Sequence, residues 1–440
     1  MKLTQKFWKA YFIVSVVALV FVAGFTVGWQ KRFPTPLVES WLGEVRDWRK
    51  YPRHNLRIRP EKFLNPVSVV PPSAQAGPAP DAEAGQTLLT GFFNDRSGLR
   101  LVDQTGRTLH EWSASYLEVF PDPTHLDSVP KHDWDMHLHG AVLYPNGDVV
   151  FNFEWAGLVR LDRCSRVKWK LARQTHHSLA LDDDGNLWVP DRKRRLVPAA
   201  DMPDLPVPAW DDYLVKVSPD GKVLREISIL EALHKSGREA LINANGAHGT
   251  AVLLPEDGDF THLNDVEALP AALAAAFPMF AAGDLLVSLR NLNLVMVLDP
   301  DSEQIKWSMV GPFMRQHDPD FQPDGRIALF DNRPDRSAGK TRGGSRILAI
   351  DPATRHVEVV YGGRPEQFFY SKRMGEQQRL PNGNYLITPT EAGYVFEVNP
   401  AGDVVWSYVN RFDDQSVAWL EGATRYPANF MSKTGMEECS

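Results

Sequence analysis

The sequence predicts an all-β fold: a six-bladed β-propeller with one N-terminal transmembrane helix and a short helical insertion. Three observations predict it, namely an uncharged N-terminal run, a strand and turn unit that recurs along the chain, and histidines at equivalent positions of that unit. The chain has 440 residues, of which 43% are hydrophobic and 23% charged. This is an ordinary globular balance, and a fold that grows by radial repetition accommodates the length.

Charge and cysteine content exclude two classes of partner. The net charge is -7 and the isoelectric point is near 6.0. Such a chain has no basic field to attract phosphate backbones, so no nucleic-acid partner is expected. Cys164 and Cys439 lie far apart without a partner at metal-ligand spacing, which excludes a thiolate zinc site. Whether the two cysteines form a disulfide in an oxidising compartment stays open. No cofactor is expected.

The N-terminal run is long enough to span a bilayer. Ala10 to Gln30 contains 21 residues without a charge, with lysines before it and Lys31 and Arg32 after it. At about 1.5 Å per residue it covers roughly 30 Å, the thickness of a hydrocarbon core. We therefore predict an uncleaved anchor, with residues 1–32 as cytoplasmic tail and transmembrane helix. A tail this short usually stays in the cytoplasm, which places the body in the periplasm of a single-pass inner-membrane protein.

Composition divides the rest of the chain into three parts. Residues 33–86 become rich in proline and alanine and are expected to form a stalk, because such a stretch cannot bury enough surface to fold alone. Residues 87–410 are predicted to form the propeller and catalytic domain. Residues 411–440 form a C-terminal tail that could pack on the propeller.

The repeat consists of a strand, an Asn-Gly or Asp-Gly turn, a second strand, an outer turn and a strand ending near tryptophan. Asn-Gly and Asp-Gly supply the positive φ angles of tight hairpins, so each marks antiparallel strands. The outer turns, at Asp103, Asp162, Ser218, Asp299, Asp351 and Asn399, are mostly 48 to 59 residues apart. Six outer turns indicate six blades. In the longer interval from 218 to 299, the Ala-rich stretch Leu269 to Ala282 predicts the helical insertion; a β-sandwich is the alternative fold.

Three histidines occupy one position of the repeat. Each stands eight residues before a turn glycine: His139 before Gly147, His177 before Gly185 and His317 before Gly325. The first strand of every blade lines the central channel, so these side chains should converge on one mouth, and His262 should join them. Burying several imidazoles together costs free energy unless a ligand or hydrogen bonds offset it. We therefore expect a shared functional site, where the nearby Arg290 keeps the imidazoles neutral and suits an oxyanion.

The motifs resemble those of the bacterial arylsulfotransferase family, six-bladed periplasmic propellers that move sulfuryl groups between phenols. The matching segments are His176-His177 with Asp184-Gly185-Asn186, His262-Leu263-Asn264-Asp265, Ser288-Leu289-Arg290, His317-Asp318 with Phe330-Asp331-Asn332, and Leu380-Pro381-Asn382-Gly383-Asn384 closing at Trp406. One departure is Arg333, where the resemblance leads us to expect glycine.

The resemblance implies a sulfotransferase that takes a sulfuryl group from an aryl sulfate and passes it to a phenolic acceptor without nucleotide sulfate. It implies His317 as the nucleophile, through a sulfohistidine intermediate, with His177, His262 and Arg290 around the sulfate. The expected substrate-binding residues are His139, His176, Asn264 and Asn332.

Two alternatives remain open. His137 and His139, two apart on a strand, could bind a transition metal together with His132, Asp133 and Asp135, in a metal-dependent enzyme. The second alternative is a non-catalytic envelope propeller that scaffolds a complex or binds a sulfated glycan or peptide.

Overall fold

The computed structural model describes residues 2–29, 35–70, 78–126, 128–197, 202, 205, 207–243, 247–248, 251–252, 258–431 and 439. Parts of the predicted anchor, stalk and tail, at residues 1, 30–34, 71–77, 432–438 and 440, lie outside the described residues. The chain divides into two units, residues 1–62 and 63–440.

The first unit is helical. It contains α1 (Lys2–Trp29), α2 (Thr35–Lys50) and the single turn α3 (Pro52–Asn55). Among the described residues, no helix is both long and apolar enough to cross a membrane, and the predicted anchor is therefore not confirmed. The second and third of these helices fall within the segment predicted as a stalk.

The second unit is a propeller of six four-stranded antiparallel sheets, as the repeat predicts. From the channel outward, blade 1 contains β28 (Leu420–Tyr426), β2 (Gln86–Phe93), β3 (Arg96–Val102) and β4 (Thr108–Trp112). Blade 2 contains β5 (Leu138–Leu143), β6 (Val149–Phe153), β7 (Gly157–Leu161) and β8 (Val167–Leu171). Blade 3 contains β9 (Ala180–Leu181), β10 (Leu187–Arg195), β11 (Ala209–Val217) and β12 (Val223–Ser228).

The remaining blades follow the same order. Blade 4 contains β15 (Leu263–Ala268), β16 (Leu285–Leu289), β17 (Leu294–Leu298) and β18 (Ile305–Val310). Blade 5 contains β19 (His317–Phe321), β20 (Ile327–Asp331), β21 (Arg346–Ile350) and β22 (Val357–Gly362). Blade 6 contains β23 (Glu376–Arg379), β24 (Tyr385–Thr388), β25 (Tyr394–Val398) and β26 (Val404–Val409).

The C-terminal segment closes the ring. Strand β28 pairs with β2 from Gln86 with Tyr426 to Gly91 with Leu420, so the last strand of the chain is the innermost strand of the first blade. The short strands β1 (Leu64–Pro66) and β27 (Ser416–Ala418) also pair. Closure removes an exposed inner edge, which would otherwise offer unpaired backbone groups to another chain.

Apolar packing and tryptophan side chains join neighbouring blades. Six buried apolar clusters each lie between two adjacent sheets. Trp169, Trp307 and Trp406, on the outermost strands, each donate the indole N–H to a carbonyl of the next blade's outer turn, at 3.0, 2.9 and 2.7 Å. This contact explains why the repeat ends near tryptophan: the rings of Trp307 and Trp406 are buried and that of Trp169 is half-buried, while each N–H keeps a partner.

The helical insertion lies elsewhere than predicted. Helices α4 (Ile229–Lys235) and α5 (Ala240–Asn243) follow blade 3, with a small hairpin of β13 (Ala247–His248) and β14 (Ala251–Val252). In the Ala-rich stretch from Leu269 to Ala282 only a 3₁₀ turn forms, at Ala274–Ala276. The expectation of a helix there was wrong, because Phe277 and Phe280 pack into the core between blades 4 and 5 and hold the segment as a loop.

Candidate functional site

Four buried histidines meet at one mouth of the channel. His139 lies in β5, His317 opens β19, His262 directly precedes β15 and His177 precedes β9. Ring centroids lie 4.8 Å apart for His139 and His177, 5.1 Å for His177 and His262, and 6.3 Å for His177 and His317. The inner strands therefore bring together the histidines that the repeat placed at equivalent positions, with His177 in the middle.

The backbone at this mouth is strained. His177 and His262 have φ angles of 54° and 51°, in the left-handed region that residues with a side chain rarely adopt. Gly140 permits the packing, because a Cβ there would lie 2.3 Å from the carbonyl oxygen of His177. Such strain persists only where surrounding structure enforces it, and it concentrates at functional sites.

The hydrogen bonds of His317 fix its neutral tautomer. Nδ1 lies 3.0 Å from the carbonyl oxygen of Arg315 and 2.7 Å from Oδ1 of Asn332. The Asn332 amide is oriented by its own Nδ2, which donates to the carbonyl oxygens of Ser371 and Met374 at 3.1 and 2.6 Å. Because both neighbours of Nδ1 are acceptors, Nδ1 carries the proton. The buried Nε2 then holds a lone pair and has no hydrogen-bond partner among the described residues.

His262 forms a dyad with Asp259. Its Nδ1 hydrogen-bonds Oδ2 of Asp259, and Nδ2 of Asn291 donates to the Asp259 carbonyl oxygen at 2.8 Å. Both side chains are buried, and Nε2 of His262 has no hydrogen-bond partner within the described parts of the chain. A carboxylate on Nδ1 orients the ring and stabilises its protonated form, which suits a general acid or base at Nε2.

Glu154 holds the other two central histidines. Its Oε1 lies 3.1 Å from Nδ1 of His177, and its Oε2 lies 3.5 Å from Nδ1 of His139 and accepts from the His177 backbone N–H at 2.8 Å. Burial lowers the pKa of His139, but the hydrogen bond and charge of Glu154 outweigh it and raise that pKa to about 9. The pKa of Glu154 falls to about 2 despite burial, since His139 favours the carboxylate.

The pKa values of the remaining three imidazoles are lowered. Burial lowers the pKa of His317 well below the usual histidine value, and the charge of Arg290 lowers it further. Burial and the neighbouring His139 do the same for His177. For His262, burial lowers the pKa, Asp259 opposes the shift and Arg290 adds to it. Arg290 directly follows β16, and its backbone N–H donates to the His262 carbonyl oxygen at 3.0 Å.

A stack of aromatic rings and one cation borders the histidines. Trp155 stacks on His176 with centroids 3.8 Å apart, and the guanidinium carbon of Arg192 lies 3.9 Å from the ring centroids of both Trp155 and Trp210. Nδ1 of His176 lies 2.9 Å from Nδ1 of His177. His176 is fully buried, so it contacts the site through His177, and the stack holds both rings in place.

The predicted substrate-binding residues take different positions. Asn264 donates to the Gln316 carbonyl oxygen at 2.8 Å, beside His317 on the neighbouring blade, and its buried Oδ1 has no hydrogen-bond partner among the described residues. Asn332 supports His317 as described, and His139 and His176 flank His177. The structure thus brings all eight predicted site residues to this mouth or directly behind it.

Of the residues named for the alternative metal site, the structure places His139 in a group at metal-ligand distances, together with two residues that were not predicted for it. His137 pairs with Glu421 on β28, at 3.2 Å from Nδ1 to Oε1, and His132 lies in a capping box with Asp135. Among the residues that the structure describes, the group with metal-ligand proximity is His139, Glu154 and His177, whose candidate ligand atoms lie within 4.8 Å of one another. Nitrogen and carboxylate donors in this number suit a transition metal.

An acidic cavity of about 260 Å³ lies in the channel, lined by carboxylates of blades 4, 5 and 6: Asp265, Glu267, Asp318, Asp320 and Glu376. Burial and their like charges raise the pKa of Asp265 to about 7 and that of Glu267 to about 8. At neutral pH the lining is therefore partly protonated.

Sequence reasoning missed Glu154, Trp155, Asp259 and Arg192. Glu154 and Trp155 follow the second strand of blade 2 as Arg290 follows that of blade 4 and Asn332 that of blade 5. The repeat could therefore have predicted Glu154. The site includes residues that follow the second strand of a blade as well as residues at the start of the first strand. Asp259 precedes the repeat unit and had no such signal.

Fold and site together define a β-propeller with a histidine and arginine centre at its channel mouth. The family model described as Arylsulfotransferase (ASST) matches residues 140–411, more than half of the chain. The chain therefore belongs to the arylsulfotransferase family, as the motifs indicated. Membership indicates an aryl sulfotransferase that acts on small aryl substrates.

Other comparisons add no functional conclusion. The search of curated proteins gave no significant match. Among solved structures, a protein of unknown function from Bacteroides caccae has 12% identity and a TM-score of 0.47, covering 78% of this chain and 99% of that one. A streptogramin B lyase has 12% identity and a TM-score of 0.41, covering 80% and 88%. Hydrazine synthase of Kuenenia stuttgartiensis has 12% identity and a TM-score of 0.43, covering 71% and 77%.

Proposed function

We propose that the protein transfers a sulfuryl group from an aryl sulfate to a phenolic acceptor through a sulfohistidine on Nε2 of His317. The proposal rests on the protonation and the surroundings of that nitrogen atom. It is buried, unprotonated and without a hydrogen-bond partner among the described residues, while Nδ1 is held by two acceptors. A neutral imidazole fixed in this tautomer is a nucleophile, and the positive charge of Arg290 suits the oxygens of the transferring group.

The reaction alternates between two half-reactions. In the first, Nε2 of His317 attacks sulfur, the bond from sulfur to the aryl oxygen breaks, and the protonated form of His262, which Asp259 stabilises, gives its proton to the departing phenolate. In the second, neutral His262 takes the proton of the incoming phenol, whose oxygen attacks sulfur while the bond from sulfur to Nε2 breaks. His262 ends protonated, so atoms and charges balance over the cycle and no nucleotide is needed.

His177 is the alternative nucleophile. Its Nδ1 faces the carboxylate of Glu154 at 3.1 Å, which leaves Nε2 unprotonated as in His317. The two candidates differ in their Nδ1 partners, because Nδ1 of His177 faces both a charged carboxylate and Nδ1 of His176, while Nδ1 of His317 faces two neutral acceptors that fix one neutral tautomer. His317 is therefore the better match to a nucleophile that must stay neutral.

Trapping the sulfoenzyme tests both candidates. The protein is incubated with 4-nitrophenyl sulfate without acceptor, quenched and digested, and the sulfated peptide is identified by mass spectrometry. We expect the modification on His317, its loss in His317→Asn, and its retention in the control His356→Asn, which alters an exposed outer turn. Modification of His177 would overturn the assignment, and a sulfate-free protein without turnover over a panel of phenols would favour a non-catalytic propeller.

A metal-dependent enzyme is the second candidate, because His139, Glu154 and His177 form a group with metal-ligand proximity. Elemental analysis of the purified protein and the effect of a chelator on transfer distinguish it. Stoichiometric metal with chelator-sensitive turnover would favour this reading, whereas chelator-resistant turnover favours the sulfohistidine.

We further propose a periplasmic location with an N-terminal anchor. The uncharged run Ala10 to Gln30 supports an anchor, and the disulfide between Cys164 and Cys439 supports an oxidising compartment. Protease digestion of spheroplasts tests the location: the body should be cleaved without lysis, and protection until lysis would contradict the proposal.

A further inference from the structure

A loop next to the proposed nucleophile forms a second cavity. We call residues 333–345 the basic loop. It lines a cavity of about 720 Å³, open to solvent, with Arg333, Arg336 and Arg342 among its walls. A volume of this size accommodates part of a small molecule.

The basic loop is fastened to the residue that supports His317. Arg333 directly follows Asn332, and its backbone N–H donates to the Met314 carbonyl oxygen at 3.1 Å. At the other end, Oγ of Ser345 donates to the Asn332 carbonyl oxygen at 3.0 Å. Both ends of the loop are thus tied to residues next to His317, on the face of the propeller where β19 begins and β20 ends.

The acid within the loop is engaged by the loop itself. Oδ1 of Asp335 accepts from the Ser337 and Gly339 backbone N–H groups at 2.8 and 2.7 Å and from the Ser337 hydroxyl at 2.8 Å. Its Oδ2 accepts from the Arg342 backbone N–H at 3.2 Å. The carboxylate shapes the loop, and these bonds leave the guanidinium groups free of direct contact with it.

The three arginines are like charges gathered at one cavity. Within the described residues, none of Arg333, Arg336 and Arg342 forms an ion pair, and Arg336 and Arg342 are exposed. Burial and the charges of Arg346 and Arg342 lower the pKa of Arg333, and the carboxylates of Asp331 and Asp335 only partly oppose this shift. Guanidinium groups recognise carboxylates and sulfate-like anions through paired N–H donors, so an anion at this cavity would relieve the repulsion.

We infer that Arg333, Arg336 and Arg342 form a second anion subsite, which binds a carboxylate or sulfate group carried by an aryl substrate in addition to the group that is transferred. The inference rests on the proposed function and narrows its substrate class to aromatic compounds with two anionic groups. The arginine at position 333, where the family resemblance predicts glycine, is one wall of this subsite.

Binding of stable sulfonates tests the subsite without requiring turnover. Benzene, naphthalene and biphenyl disulfonates, each compared with its monosulfonate, are titrated into the full-length protein by calorimetry. We expect at least one disulfonate to bind about tenfold or more tightly than its monosulfonate. Equal affinities for all three pairs would overturn the inference.

Substitution then locates the second anion. The double variant Arg336→Gln with Arg342→Gln should lose the preference for the disulfonate and keep the monosulfonate affinity, since neither residue contacts the histidines. Arg107→Gln, on the exposed outer turn of blade 1, is the control and should keep the preference. A preference retained in the double variant would also overturn the inference. Because sulfonates are not transferred, a failure of the subsite remains distinct from an absence of sulfuryl transfer.

Discussion

Substitution of Asp259 by asparagine separates acid and base chemistry from nucleophilic attack. The side-chain oxygen of asparagine can still accept from Nδ1 of His262, so the ring keeps its orientation while the negative charge is removed. Asp259 raises the pKa of His262 against the effects of burial and Arg290. The variant should therefore lower that pKa further and reduce the fraction of free enzyme that can protonate a departing phenolate.

Two estimates give the lower and upper limits of the expected loss of rate. Replacing a charged hydrogen bond by a neutral one removes about 1.5 kcal/mol, which corresponds to roughly tenfold. Two unit charges about 4 Å apart at an effective dielectric constant of about 20 interact by about 4 kcal/mol, which corresponds to roughly a thousandfold. For a leaving group that requires a proton, the Asp259→Asn variant should carry out the first half-reaction near pH 7 more slowly than the unaltered protein. The reduction in rate should lie between these two factors.

The assay compares two donors that differ in this requirement. Phenyl sulfate releases a basic phenolate and should show the full loss, whereas 4-nitrophenyl sulfate releases a stabilised phenolate and should lose little. For phenyl sulfate, kcat/KM should fall as pH rises through the His262 pKa, and this limb should move to lower pH in the variant. Equal losses for both donors with an unmoved pH limb would refute the role of the dyad.

Three further predictions concern the supporting residues. In Asn332→Asp, the new carboxylate should raise the pKa of the nucleophilic histidine, so sulfoenzyme formation measured by rapid quench should drop by about tenfold or more near pH 7 and partly recover at higher pH. His139, with a pKa raised from 6.5 to about 9, stabilises the fold below pH 6.5, and this contribution is lost as pH rises to about 9. Denaturant titrations should show that fall, and Glu154→Gln should flatten it; an unchanged slope would contradict the pairing. Replacing Cys164 and Cys439 by serine should lower the melting temperature in calorimetry, with at most about 5–6 kcal/mol of stability lost and with turnover unchanged.

Much of the fold was predictable because turn chemistry is local. The glycine of each Asn-Gly or Asp-Gly pair of the repeat has a positive φ angle, and each outer-turn Asp or Asn accepts from backbone N–H groups two to four residues on, as Asp103 and Asp162 do. The first turn recurs in blades 2, 3, 5 and 6, and the outer turn begins with Asp or Asn in every blade except blade 3, so both can be recognised from short stretches of sequence. The Ala-rich stretch was misjudged because its helix propensity is weaker than the packing of Phe277 and Phe280 into the core.

The candidate site was predictable in part for the same reason. The histidines occupy a fixed position of the repeat, so their convergence follows from the radial symmetry of the fold. The partners of Nδ1 do not share one position. Asp259 reaches His262 from a segment that precedes blade 4, and Glu154 crosses from blade 2 to His177 of blade 3. Such contacts between elements are set by tertiary packing, which a single sequence does not reveal.

The partners of Nδ1 give similar imidazoles different chemistry. His317 has an amide oxygen and a carbonyl oxygen, both neutral, so it stays uncharged and presents a lone pair at Nε2. His262 has a carboxylate, which brings protonation within reach and suits a residue that alternates between acid and base. His139 pairs with Glu154 strongly enough to remain protonated at neutral pH. The blade repeat places the histidine rings together. Their Nδ1 partners differ from blade to blade, and these differences determine which histidine is the nucleophile, which carries the proton and which remains a cation.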